Sequence, residues 1–278
     1  MEQVSASRSH GGVQRVYRHA SSATGTPMTF SVFVPDHVPG AMLPVVWYLS
    51  GLTCTHANVT DKGDYRAACA RHGFIFVAPD TSPRGEGVPG DPAGATDFGL
   101  GAGFYVDATQ APFDRNYRMW SYVTDELPAL VAANFPADMV RQSIIGHSMG
   151  GHGALTVGLR HPERFRAVSA FAPIVAPSQV PWGRKALGGY LGADKATWRA
   201  HDAVALIEDG ARLPELLIDQ GEADPFLENQ LKPDLLEAAC ANAGIALTLR
   251  RHAGYDHGYY FVSSFMADQL DWHASRLH

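Results

Sequence analysis

SIIGHSMGGHGALTVGLRH, residues 143–161, is the stretch on which the fold reading turns. Its first four residues, Ser143 to Gly146, form a short apolar run of the kind found in a strand covered on both faces. From Gly151 onward the pattern becomes helical. Between the two lies Gly146-His147-Ser148-Met149-Gly150, a G-x-S-x-G pattern. Glycines on both sides of the serine let the chain turn sharply from strand to helix and lift the Ser148 hydroxyl clear of the strand end. The five-residue pattern alone also arises by chance in Gly-rich loops. The strand before it and the helix after it give it weight, and Ser148 is expected to be a nucleophile.

Outward from this elbow, similar apolar runs recur at LPVVWYLS (43–50), FIFVAPD (74–80), AVSAFAP (167–173), ELLIDQG (215–221) and ALTLRRH (246–252). Helical patterns separate them at about residues 59–72, 121–135, 151–161, 232–243 and 260–275. Alternation of buried strand and helix predicts an α/β fold with a mostly parallel central sheet and helices on both faces. Residues 16–35, VYRHASSATGTPMTFSVFVP, alternate apolar and polar around a Gly/Pro turn, which predicts an antiparallel hairpin at the N-terminal side of the sheet. With the nucleophile elbow, the arrangement is that of the α/β-hydrolase fold. Residues 81–103 are rich in Gly and Pro without periodicity, and so long a loop in a compact domain is expected to serve function. No repeat, low-complexity tract or compositional break divides the chain, so residues 1–278 are expected to form one domain.

Composition narrows the function. Hydrophobic residues make up 46% of the 278 and charged residues 18%, as in an ordinary globule, and no apolar stretch approaches the roughly 20 residues of a membrane helix. The polar N-terminus lacks the apolar core of a secretory signal, which points to a cytoplasmic protein. A formal net charge of −6 without any basic run argues against nucleic acid as partner, leaving small molecules. The three cysteines, Cys54, Cys69 and Cys240, show no ligand spacing, so neither a disulfide framework nor a metal site is expected.

A serine hydroxyl needs a neighbouring base to attack a carbonyl. In this fold the chain order is Ser, acid, His. Among 13 histidines, His257 stands in a turn-like setting, Gly254-Tyr255-Asp256-His257-Gly258, after the last strand and before the final helix. Three acids precede it near the end of the previous strand: Asp219, Glu222 and Asp224. Asp219 falls within the strand and Glu222 at the turn, whereas Asp224 lies where a loop can curl toward an imidazole, so Asp224 is preferred. The lesser alternative for an Asp before Pro225 is to start a helix. For the oxyanion, the backbone N–H of Met149 follows the nucleophile, and that of Leu52 belongs to Ser50-Gly51-Leu52-Thr53-Cys54 after an early strand.

At these residues the chain resembles the S-formylglutathione hydrolases, also called esterase D. The matching motifs are LSGLTCT (49–55), APDTSPRG (78–85), DFGLGAGFYVDAT (97–109), YRMWSYVTDELP (117–128), GHSMGGHGAL (146–155), PWGRKALGGYLG (181–192), QGEADPFL (220–227) and GYDHGYYF (254–261). They span nearly the whole chain. The resemblance implies Ser148, Asp224 and His257 as a triad, Leu52 and Met149 as the oxyanion hole, and no cofactor or metal. It also implies a glutathione thioester as substrate, formaldehyde detoxification and a homodimer. One position departs from the pattern: Thr96 stands where the family often has tryptophan.

A thiolate leaves readily and a formyl group needs little room, so specificity should come from the glutathione portion. Its carboxylates favour Arg or Lys, and Lys62, Arg84, Arg115 and Lys185 are loop-borne candidates. Trp182 is expected to wall the site, and Cys54 to border it beside Leu52. A broad carboxylesterase or an acyltransferase of the same fold is the alternative.

Overall fold

Nine strands form one sheet in the computed structural model, which describes residues 1–278. They are β1 (Glu2–Ser9), β2 (Gly12–Ala20), β3 (Pro27–Pro35), β4 (Leu43–Leu49), β5 (Ile75–Pro79), β6 (Ala137–His147), β7 (Phe165–Phe171), β8 (Glu215–Gly221) and β9 (Ala246–His252). Their spatial order is β1-β2-β3-β5-β4-β6-β7-β8-β9. The pairs β1/β2, β2/β3 and β3/β5 are antiparallel, and every pair from β5 through β4 to β9 is parallel. Every side chain of β4 and β5 is buried, which suits their unbroken apolar sequences: only a central strand covered on both faces hides them all.

Helices supply that cover. His56–Lys62, Arg66–His72 and Tyr259–Leu277 pack together on one face. Leu127–Asn134, Met149–Arg160, Ala203–Glu208 and Pro233–Ala243 pack on the other. The apolar side chains merge into a single cluster of 71 buried residues, so no second core interrupts the sheet. This is the α/β-hydrolase fold. None of its helices is long and apolar enough to cross a membrane.

Three differences from the sequence expectation have physical causes. The edge strand β1 has seven exposed residues out of eight, and backbone pairing with β2 holds it, so no apolar pattern betrays it. The helix expected over residues 59–72 is two helices, broken where Asp64 takes φ 52°. Three further helices, Pro181–Leu191, Lys195–Trp198 and Ala203–Glu208, stand between β7 and β8, where the sequence reading expected none. The first contains three glycines and is held by packing, with Tyr190 4.6 Å from the ring of Phe98.

In a parallel sheet all the strands that run the same way end on one edge, and their following loops gather there. Residues 50–54 after β4, Ser148 after β6, residues 222–226 after β8 and residues 253–258 after β9 therefore meet, although they lie far apart in sequence.

Candidate active site

The turn at Ser148 is as tight as its sequence demands. Ser148 has φ 59° and ψ −119°, a left-handed region that side chains other than glycine rarely occupy. Its N–H donates to the Phe171 carbonyl at 2.9 Å, and its own carbonyl accepts from His152 at 3.0 Å and Ile174 at 3.3 Å, so the strained residue is tied on both sides. The flanking glycines have no room to change. A Cβ on Gly146 would stand 1.9 Å from the Gly150 carbonyl oxygen, and one on Gly150 would stand 1.9 Å from that of Leu49. Ser148 is 3% exposed, and that small surface opens into a cavity of about 570 Å³.

His257 reaches the same cavity from the loop after β9. Its Nδ1 lies 2.5 Å from Asp224 Oδ2, and Asp224 is itself nearly buried. The two loops are stitched together by backbone bonds from Glu222 to the His252 carbonyl at 3.0 Å and from Ala223 to the Tyr255 carbonyl at 2.9 Å. Gly221 permits this approach, since a Cβ there would fall 2.4 Å from the Tyr255 oxygen. Asp224 also accepts from the Phe226 N–H at 2.8 Å through its other oxygen, so it shapes the turn while it orients the imidazole. Of the other acids near this strand end, Glu222 is exposed. Asp219 is fully buried and engaged by Arg250, His252 and Gln269 within the sheet.

Leu52 lines the cavity, and its N–H donates to no acceptor in the protein. Met149 opens the helix Met149–Arg160, where first-turn N–H groups have no partner within the helix, while its side chain is wholly buried in the core. An anion beside Ser148 would thus meet a helix N-terminus as well as the Leu52 amide.

Sequence reasoning missed His147. Its ring centroid lies 4.7 Å from that of His257, whose ring is met on another side by Phe226, packed edge-on at 5.0 Å. Burial, and then the neighbouring His257, push the His147 imidazole well below its ordinary pKa, so it stays neutral beside His257. A residue between Gly146 and Ser148 carries no signal of this role, because it depends on a loop more than a hundred positions away.

The substrate-binding candidates separate. Trp182 and Cys54 line the cavity; Trp182 packs on Phe226 at 4.7 Å. The loop residues Gly94 to Asp97 form the facing wall, so Thr96 does border the site. No Lys or Arg lines it. Arg84 donates to Asp80 at 2.9 Å and to the Cys54 carbonyl at 3.2 Å, which places its guanidinium beneath the loop that bears Leu52. Lys185 pairs with Asp97 and Asp91. Lys62 borders a different cavity with Asp61 and Tyr259, and Arg115 is exposed in the turn Phe113–Arg115. No three His, Cys, Asp or Glu side chains converge as metal ligands would.

The family model "Putative esterase" matches residues 21–272. The S-formylglutathione hydrolase of Paracoccus denitrificans is 55% identical over 276 residues, covering 99% of this chain and 98% of its own length. The chain belongs to the S-formylglutathione hydrolase family. The S-formylglutathione hydrolase of Mus musculus is 48% identical over 280 residues, covering 100% of this chain and 99% of its own. The solved structure of the Agrobacterium tumefaciens S-formylglutathione hydrolase superposes with a TM-score of 0.98 at 56% identity, with 100% of both chains covered. Family membership therefore extends over the whole S-formylglutathione hydrolase chain, including the loop that carries Thr96 and Asp97.

Proposed function

We propose that this protein hydrolyses S-formylglutathione to formate and glutathione, with Ser148 as nucleophile, His257 as general base and Asp224 as its orienting acid. The observation that carries the mechanism is that Ser148 and His257 open into one cavity while His257 Nδ1 is bonded to Asp224 Oδ2 at 2.5 Å. With Nδ1 so engaged, Nε2 is the nitrogen free to take the Ser148 proton.

Ser148 Oγ attacks the formyl carbon as His257 Nε2 takes the hydroxyl proton. Negative charge moves to the carbonyl oxygen, where the amides of Leu52 and Met149 stabilise it. Collapse breaks the C–S bond, and the imidazolium protonates the departing glutathione thiolate. Water then attacks the formyl ester of Ser148 with His257 again as base, which releases formate and restores the serine. Asp224 stabilises the imidazolium in both halves without taking its proton.

The small acyl group accords with a nucleophile that is only 3% exposed. The family resemblance supports a cytoplasmic homodimer of single-domain subunits acting in formaldehyde detoxification; sedimentation of the purified chain tests the dimer. Steady-state kinetics with S-formylglutathione, a longer-chain glutathione thioester and p-nitrophenyl acetate tests the reaction. Highest kcat/KM is expected for the formyl thioester. Equal turnover of all three, or acyl transfer to added alcohols faster than hydrolysis, would replace this reading with a broad esterase or an acyltransferase.

A further inference from the structure

The cavity at Ser148 has one formally charged side chain in its wall, Asp97, and no cation. Asp97 is not isolated. Lys185 Nζ lies 2.5 Å from Asp97 Oδ1 and 2.5 Å from Asp91 Oδ2. One lysine thus serves two carboxylates, and the group carries a surplus negative charge. The Asp91 side chain is 4% exposed and out of reach, whereas Asp97 and Lys185 are 27% and 37% exposed. An ammonium has three N–H donors, and one is directed at Asp97 Oδ1, while Asp91 Oδ2, though close, accepts no hydrogen bond. A donor is therefore left over. On the other side, Asp97 Oδ2 accepts no hydrogen bond within the protein, so a spare acceptor and a spare donor stand next to each other. Lys185 follows Trp182 by three residues on the helix Pro181–Leu191, which puts the two side chains on one face, and Trp182 lines the cavity. The ion pair therefore sits at the cavity rim, reached from both walls.

Glutathione ends, on its γ-glutamyl side, in a free α-amino-acid head that bears an ammonium and a carboxylate on one carbon. We propose that the Asp97–Lys185 pair reads this head, with Asp97 accepting from the substrate ammonium and Lys185 donating to the substrate carboxylate. The inference rests on the glutathione-thioester reading above and specifies how that substrate is selected. Adjacent opposite charges on the protein match adjacent opposite charges on the ligand. The site also accounts for a cavity that binds a peptide with two carboxylates yet has no lysine or arginine in its wall. The neighbouring carboxylates of Asp91 and Asp97 raise the Lys185 pKa further, so the ammonium remains charged throughout the working range.

The test uses the purified chain with S-formylglutathione and two analogues, one acetylated on the γ-glutamyl amine and one with the γ-glutamyl α-carboxylate converted to the amide. Wild type is expected to prefer the intact substrate about tenfold or more in kcat/KM over each analogue, the usual worth of one charged hydrogen bond. In Asp97→Asn the preference over the acetylated analogue should fall toward one, and in Lys185→Gln so should the preference over the amide. A pair that only ties the loop to the helix would slow all three substrates by the same factor and keep the preferences, which overturns the proposal. Wild type that takes all three substrates alike overturns it as well, and that comparison holds even if neither variant folds. Wild type that hydrolyses p-nitrophenyl acetate but none of the thioesters overturns the proposed function instead.

Discussion

Asp219 Oδ1 lies 2.7 Å from His252 Nε2, so the chain holds a second aspartate–histidine pair beside Asp224 and His257. The two are not equivalent. The Asp219 carboxylate is also gripped by Arg250 through both oxygens at 2.6 Å and by Gln269 at 2.7 Å, and neither Asp219 nor His252 lines the cavity. Asp224→Asn should therefore lower kcat by about 10⁴, through loss of the correct imidazole tautomer. Asp219→Asn should leave kcat within a few fold but reduce stability by on the order of 2 kcal/mol, moderated because Arg250 is partly exposed. Kinetics and thermal denaturation of both variants decide the matter, and a larger kcat loss at Asp219 would move the acid.

Ser148→Ala should remove about 10⁴ to 10⁶ of kcat and leave the melting temperature near that of wild type. The bonds that hold the elbow run through the Ser148 N–H and carbonyl, which the substitution keeps. Thioester hydrolysis above a few per cent of wild type in the purified variant would assign the nucleophile elsewhere.

Cys54 is 8% exposed, lines the cavity and lies two residues after Leu52. Burial raises its thiol above the usual range, so at pH 7 little thiolate forms. Alkylation by N-ethylmaleimide should be slow at neutral pH, quicken with rising pH, and inhibit by crowding the Leu52 amide, whose loss is worth ~10² to 10³ in rate. Cys54→Ala should keep substantial activity and resist the reagent. Inhibition that persists in the variant would indict Cys69 or Cys240, both buried and both raised by that burial, Cys240 to about 11.

Acid should destabilise the fold through its buried histidines. Burial holds His152 at about 4 and His273 at about 3, with Arg276 adding to the latter, against ~6.5 in the unfolded chain. The unfolded state then binds protons that the folded state refuses. Their stabilisation is complete above pH ~6.5 and declines below it, by roughly 1.4 kcal/mol per pH unit for each histidine, until the folded groups titrate. Melting temperatures measured from pH 7.5 to 4.5 should fall steadily, and His273→Gln should flatten the slope. A slope unchanged in that variant would count against the assignment.

How much of this was legible beforehand follows from the range of the interactions. A strand, two glycines around Ser148 and a helix are neighbours in sequence, so the elbow could be read directly, while the Ser, acid, His order of the fold only said where to look for its partners. The same holds for β4, β5, β7 and β8, whose apolar runs need only local composition to declare themselves, whereas β9 lies where expected but as an edge strand with no buried residue. The edge strand β1 could not be read that way, because it is held by hydrogen bonds to β2 and buries almost nothing.

By itself, then, the sequence determined the α/β alternation, the nucleophile turn and the few residues from which a triad can be drawn, since each is encoded over short stretches. Tertiary structure alone decided which aspartate faces His257 and which is consumed by Arg250, and that Arg84 is spent on Asp80. It also decided that His147 packs against His257, and that Lys185 stands between Asp91 and Asp97 at the cavity rim. Charges and rings find partners by distance in space. In a parallel sheet, residues tens to hundreds of positions apart come together only when the strand ends align on one edge.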